Sequence, residues 1–293
     1  MRYDIHLSID YTYAAPSDHL RNLVRLLPAE LPGRQRVWSR KLTVTPTPDE
    51  RRDTIDFFGN AMTSVVWHGP VAEAIFELSA RVERLAVGDP LDLSPPLADL
   101  GAEVTGEMTL APASPHHFLG ASPRVVPCAE ITAFARAAVP RGISAYGAVT
   151  ALGHALHHHM SFDAEATTVD TPPREAFVQR RGVCQDFTHV MIAGLRGLGI
   201  PAGYVSGFLR TFPPPGAPRL EGADAMHAWV RAWVGREMGW IEFDPTNDQG
   251  AGLDYISVAV GRDYDDVAPV RGALRSAGSA ETSQAVDVLP LDS

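Results

Sequence analysis

Arg181-Gly-Val-Cys-Gln-Asp-Phe-Thr-His-Val-Met-Ile-Ala-Gly-Leu195 is the stretch whose reading decides the fold of this chain. From Cys184 onward, Phe187, Val190, Met191, Gly194, Leu195 and Leu198 recur at three- and four-residue steps, the period of a helix with one buried face. Gly199 and Pro201 close it. The pattern predicts a helix whose first turn carries a cysteine. A thiol reacts as thiolate, and a free pKa of about 8.5 leaves only a few per cent ionised near neutrality. The unpaired N–H groups and positive dipole end of a helix favour the anion by about 0.3–1 kcal/mol, which is less than one pKa unit. A neighbouring imidazolium is therefore needed, because thiol–histidine pairing brings a thiol down to about 3–4.

The chain downstream offers one. A strand is predicted from about Ala202 to Leu209, then a Pro-rich loop over residues 211–219. Two alternating runs follow, His227 to Val234 and Trp240 to Asp244, joined by Gly235-Arg-Glu-Met-Gly239 as a β hairpin. His227 opens the first strand and Asp244 closes the second, so the fold-back brings both to one end of the ribbon. The loop leaves their register open by a residue or two. A carboxylate there would hold the ring and fix its tautomer. Pro245 keeps the Asp244 backbone extended, which limits where the carboxylate points. Cys184, His227 and Asp244 are the candidate catalytic residues.

These blocks resemble a known family. Arg181-Gly-Val-Cys-Gln-Asp-Phe187, Leu198-Gly-Ile-Pro-Ala202, Tyr204-Val-Ser-Gly207, His227-Ala-Trp-Val230 and Gly239-Trp-Ile-Glu-Phe-Asp-Pro-Thr-Asn247 are similar in order and spacing to the bacterial transglutaminase-like superfamily. Gly261-Arg-Asp-Tyr-Asp-Asp-Val267 resembles a block that follows its core, and Asp56-Phe-Phe-Gly-Asn60 resembles a turn of the small β domain that often precedes it. The resemblance implies an α+β fold: a papain-like core, with the cysteine-bearing helix packed on an antiparallel sheet, behind an N-terminal β domain. It implies a triad of Cys184, His227 and Asp244. It also implies thiol-dependent acyl transfer on a peptide or carboxamide through a thioester; hydrolysis, as in a cysteine protease or amidase, is expected because water is always present and no amine-binding subsite is evident. The alternatives are amine transfer onto protein glutamine and a peptide-binding module without turnover. Two positions depart from the pattern: Thr188, where a small apolar residue is expected, and Met226, where a polar one is common. No cofactor is implied, and no D-x-D-x-D-G loop suggests calcium.

Upstream, Tyr3, Ile5, Leu7, Ile9, Tyr11 and Tyr13 alternate with polar residues, the mark of a half-buried strand. Alternation returns at Trp38, Leu42 and Val44 and at Phe76, Leu78, Ala80 and Val82, with turn signals at Pro46 to Asp49 and at Gly59-Asn60. The expected organisation is a β domain over 1–87, a linker or crossing segment over 88–115, the core over 116–272, and a tail over 273–293 with room for a final strand. Helices are expected around Ile131 to Ala135, from Val149 to Met160, and from Thr171 as N-cap with Pro172 first in the helix.

With 293 residues, two domains that each bury a core are the default expectation. A formal charge of -10 repels phosphate backbones, so nucleic acid is not expected as a partner. The N-terminal alternation is unlike a signal peptide and no long apolar run suggests a membrane span. Two cysteines build no disulfide framework, so free thiols in a cytoplasmic protein are expected. A peptide or protein substrate is expected; the oligomeric state is left open.

Other residues compete with the triad. Cys128 follows Pro127 and is a rival nucleophile on local grounds, but it lacks a matching His/Asp hairpin. His189 lies about 150° round the helix from Cys184 and is read as structural. Asp186 opposes a thiolate, so it is expected to turn outward to Arg180 or Arg181. His154, His157, His158 and His159 suggest metal, yet without a thiol or acidic ligand beside them they read as an exposed polar face, and no metal is expected. Trp229, Trp233 and Trp240 read as mainly core, with one available to wall a cleft.

Overall fold

The alternation that opens the chain is realised as one very long strand. In the computed structural model, which describes residues 1–86, 88, 91–212, 222, 224–275 and 280–291, β1 (Arg2–Val24) is followed by β2 (Gln35–Thr45), β3 (Glu50–Ile55), β4 (Ala61–Trp67) and β5 (Val71–Arg84). Tyr3, Ile5, Leu7 and Ile9 are buried because successive side chains of a strand face opposite sides. The first half of β1 pairs antiparallel with β5 and the second half, Leu20–Val24, with β4. Asp56 shapes the β3–β4 turn, its Oδ1 accepting from the N–H groups of Phe58 and Asn60 at 3.0 Å each. Gly59 sits in that turn at φ 88°, where a side chain is strained.

The chain then forms α1 (Leu100–Thr105), α2 (Ala129–Ala138), α3 (Ala145–His159), β6 (Ser161–Phe162), α4 (Pro173–Gln179), β7 (Arg181–Gly182) and α5 (Cys184–Gly197). There follow β8 (Ala202–Leu209), β9 (Ala225–Trp233), β10 (Trp240–Asp244), β11 (Gln249–Gly250), β12 (Tyr255–Gly261) and α6 (Tyr264–Val267). The five strands β11-β10-β9-β8-β12 make an antiparallel sheet. α5 packs on β8 and β9, with α2, α3 and α4 around it. The predicted hairpin is β9–β10, with Trp240 opposite Trp233 and Phe243 opposite Val230.

Some expectations are corrected. Thr171 is not the cap of α4: its hydroxyl accepts from the Thr168 N–H at 2.9 Å, so Pro172 takes the cap and the helix starts one residue later. The segment 88–115 carries α1, whose Glu103 accepts from the Arg236 N–H at the hairpin tip. The Pro-rich loop expected over 211–219 lies, from residue 213 on, outside the described residues. The C-terminal part returns to the first sheet. β13 (Val270–Arg275) and β14 (Ala280–Leu291) both pair antiparallel with β1, making that sheet seven-stranded and placing Arg2 beside Leu291.

The two sheets meet along β12, an edge strand whose outward backbone groups need partners. Two buried amide side chains supply them. Gln35 Nε2 donates to the Ser257 carbonyl at 2.8 Å while its Oε1 accepts from the Ser257 N–H at 2.9 Å. Asn60 does the same at Val260, donating to its carbonyl and accepting from its N–H at 2.8 Å each. Each amide mimics a neighbouring strand. Most buried apolar residues of both sheets form one continuous cluster where two separate cores are expected, and Val205, Trp229 and Tyr255 of the core sheet form a second, small one. Replacing Asn60 by Ala leaves both backbone groups of Val260 without these partners and is expected to cost about 3 kcal/mol in urea unfolding. A loss under about 0.5 kcal/mol, within the range of an ordinary surface change, would show that water replaces these bonds.

Candidate active site

Cys184 owes its position to what precedes it. β7 forms a short parallel ladder with β6, Phe162 beside Gly182, and Val183 stays extended at φ −101°, ψ 179° before α5 begins. The half-buried thiol is thus on the first residue of the helix, among unpaired backbone N–H groups. The expected outward turn of Asp186 does not occur. It is 1% exposed, and its Oδ2 accepts from the Val183 N–H at 2.8 Å and from the Thr167 hydroxyl at 2.6 Å. Burial pushes this carboxyl up, against those two hydrogen bonds. Gly182 makes room for it, since a Cβ there would lie 2.5 Å from Asp186 Oδ2. Arg181 instead faces Asp163 at 3.6 Å.

His227 and Asp244 do meet at the end of the hairpin. His227 Nε2–H donates to Asp244 Oδ2 at 2.7 Å, with the histidine 9% and the aspartate 0% exposed. This bond commits Nε2, so Nδ1 is the ring nitrogen left for a thiol. Burial opposes charge on the ring, but the hydrogen bonds and charges of Asp244 and Cys184 outweigh it and raise the His227 pKa to about 10. Burial likewise works against the Asp244 carboxylate, and the donors His227, Asn247 and Tyr255 hold it below its ordinary range.

Two of those donors were not singled out from the sequence. Asn247 Nδ2 and the Tyr255 hydroxyl each donate to Asp244 Oδ2 at 2.7 Å, while the N–H groups of Thr246 and Asn247 reach Oδ1 at 2.8 and 3.3 Å. Asn247 lies in the block quoted for the family resemblance. Tyr255 gave only a weak signal, a hydroxyl-bearing ring at the start of an apolar strand.

The competing residues fall elsewhere. His189 is buried, its ring tilted against that of Tyr204 with centroids 5.2 Å apart, and it accepts from the Tyr264 N–H; burial lowers its pKa to about 3, so it stays neutral. Burial, and then the charge of Cys184, push the Tyr204 phenol well up. The Cys128 thiol donates to Glu130 Oε2 at 3.6 Å. Of the four histidines read as an exposed polar face, His154 and His158 are exposed, while His157 and His159 are half-buried against neighbouring elements. His154 pairs with Asp248, His157 Nδ1–H donates to the Thr246 carbonyl at 3.0 Å, and His159 stacks on Phe177 at 4.7 Å. Among the described residues, no group of three His, Cys, Asp or Glu is arranged to hold a metal ion. Trp229 is the tryptophan beside the histidine, its ring 6.2 Å from that of His227 and its Nε1–H donating to Glu242. Thr188 is fully buried and its hydroxyl meets no protein partner among the described residues. Met226 packs into the core, as alternation along β9 requires of a neighbour of His227.

A cysteine opening a helix that packs on an antiparallel sheet, with a histidine and a buried aspartate paired at the sheet's end, defines a papain-like thiol-enzyme fold. Residues 132–245 match the transglutaminase-like superfamily and residues 3–83 the bacterial transglutaminase-like N-terminal region. An uncharacterised protein of Mycobacterium tuberculosis is 33% identical over 279 residues, 88% of this chain and 83% of its own length. Another, of Mycobacterium leprae, is 31% identical over 287 residues, 97% of each chain. The crystal structure of a candidate cysteine protease from Cytophaga hutchinsonii shares the fold with a TM-score of 0.74 at 21% identity, covering 100% of this chain and 91% of that one. The chain belongs to the transglutaminase-like superfamily.

The two shifted groups give a pH window. The raised His227 pKa contributes stability that is complete below 6.5 and lost as pH rises through about 10. The lowered Asp244 pKa contributes stability that is complete above 3.8 and lost as pH falls through the folded value. Asp244→Asn is therefore expected to lower the His227 pKa, followed by NMR of the imidazole. Its stability deficit should be largest between 3.8 and 6.5 and narrow toward pH 10. A deficit independent of pH would show that the two groups are not coupled.

Proposed function

We propose that this protein is a cysteine peptidase or amidase that works through a Cys184 thioester. The observation that carries the reading is the His227–Asp244 bond of 2.7 Å, which orients a buried imidazole whose other nitrogen is left for Cys184. The raised histidine pKa supports it, because an imidazolium beside the sulfur stabilises thiolate. Cys184 Sγ attacks the carbonyl carbon of a peptide or carboxamide, and His227 gives its proton to the departing amine. Water then enters, loses a proton to His227 and attacks the thioester, releasing the acid and restoring the thiol. Asp244 holds the ring in one tautomer throughout.

The backbone N–H of Cys184 is available to the oxyanion, as the first N–H of a helix has no partner within it. One N–H of the Gln185 amide is engaged, donating from Nε2 to the Val169 carbonyl at 2.9 Å. The family core serves both hydrolysis and amine transfer, and the acceptor alone distinguishes them. Water is the acceptor proposed, because it has access to any open cleft and no amine subsite is needed.

Incubation with a glutamine peptide and a labelled amine should give hydrolysis in excess of amine incorporation, and Cys184→Ala should lower turnover by about a thousandfold or more. Incorporation exceeding hydrolysis would reassign the acceptor. Without turnover, and with iodoacetamide labelling Cys184 only at the ordinary thiol pKa near 8.5, the reading as a peptide-binding module would stand instead.

A further inference from the structure

Tyr255 opens β12 and projects onto the face of the core sheet that carries Trp229. It is 2% exposed, edge-on to Trp229 with centroids 5.2 Å apart, and its ring lies 6.2 Å from that of His227. Its oxygen has two partners. Gln249 Nε2–H donates to it at 2.8 Å, and its own O–H donates to Asp244 Oδ2 at 2.7 Å. A phenol has one proton, so with the Gln249 amide on the acceptor side that proton is directed to Asp244. The oxygen it reaches is the one that accepts from His227. We infer that Tyr255, held as a donor by Gln249, is a positioning residue for the His227–Asp244 pair: it fixes where Oδ2 points and how much of its charge is left for the imidazole.

This inference rests on the proposed function and extends it to the first sheet. On either side of Tyr255, Asp254 accepts from the Tyr3 hydroxyl at 2.9 Å and Ser257 is gripped by Gln35. The N-terminal sheet thus fixes the strand that presents the phenol. The titratable groups bearing on the His227 ring are Cys184 from α5, Asp244 from β10 and Tyr255 from β12. Burial, and then the Asp244 charge, push the Tyr255 phenol well above its ordinary value, so it stays protonated while its neighbours titrate.

The test follows iodoacetamide alkylation of Cys184 from pH 4 to 11 in full-length protein carrying Cys128→Ser, with the labelled site assigned by mass. The profile is expected to show two breaks, one for thiolate formation and one for loss of the His227 proton near 10. Tyr255→Phe removes only the oxygen, which leaves Oδ2 a stronger acceptor for the ring. The upper break should therefore rise by about half a pH unit or more. Gln249→Ala, at an exposed position, frees the phenol proton to turn away and should move the same break in the same direction by less. A merely structural role would lower stability and leave the break in place. Two breaks in the parent with no movement in either variant would overturn the inference and leave the proposed function standing. A parent profile with a single break at the ordinary thiol pKa would overturn both.

Discussion

A carboxylate with no exposed surface has to be met by donors, and the way Asp244 is met constrains the rest of the site. An unpaired charge at such depth costs several kcal/mol, so each lone pair calls in a piece of chain. The turn after Pro245 brings the N–H groups of Thr246 and Asn247 to Oδ1. β9, the turn and β12 bring His227, Asn247 and Tyr255 to Oδ2. The turn is itself tied to α3 by His157 and His154. Three pieces of chain therefore converge on one residue, with α3 bracing one of them, and the histidine ring is oriented as a consequence.

The order of strands makes that convergence possible. β9 lies between β10 and β8, and β8 carries β12 on its other side, so Tyr255 approaches Asp244 from across the sheet. The approach needs a gap in β8. Gly207 stands opposite His227 in register, and a Cβ there would lie 2.5 Å from the Trp229 ring and 2.2 Å from the Ile256 carbonyl oxygen. Its lack of a side chain lets the tryptophan lie beneath the strand pair. On the far edge, Gln35 and Asn60 pair with β12 as a strand would, and so the first sheet completes the second.

Much of this was legible in the sequence, for identifiable reasons. The α5 period and the alternation of β9 and β10 are local patterns set by a buried face, and the structure bears them out. The pairing of His227 with Asp244 followed from hairpin geometry, with only the register left open. The misreadings concern places where a side chain met a partner from far along the chain or from a neighbouring loop. Asp186 looked like a surface acid until Thr167 and the space above Gly182 were known. The histidines of α3 are in part the exposed face their spacing suggests, but the turn after Asp244 lies against His154 and His157 and gives both a partner.

The sequence by itself determined the helix with a cysteine at its tip, the ribbon with a histidine and an aspartate at one end, and the alternating strand that opens the chain. These depend on a period within one element or on a hairpin between neighbouring ones. Only the tertiary structure decided that Tyr255 shares the aspartate oxygen with the histidine, that Gln35 and Asn60 close the edge of the core sheet, and that Leu291 lies beside Arg2. Each of these is a contact between polar or backbone groups distant in sequence, and no periodicity records which distant group will fill a buried hydrogen-bonding vacancy.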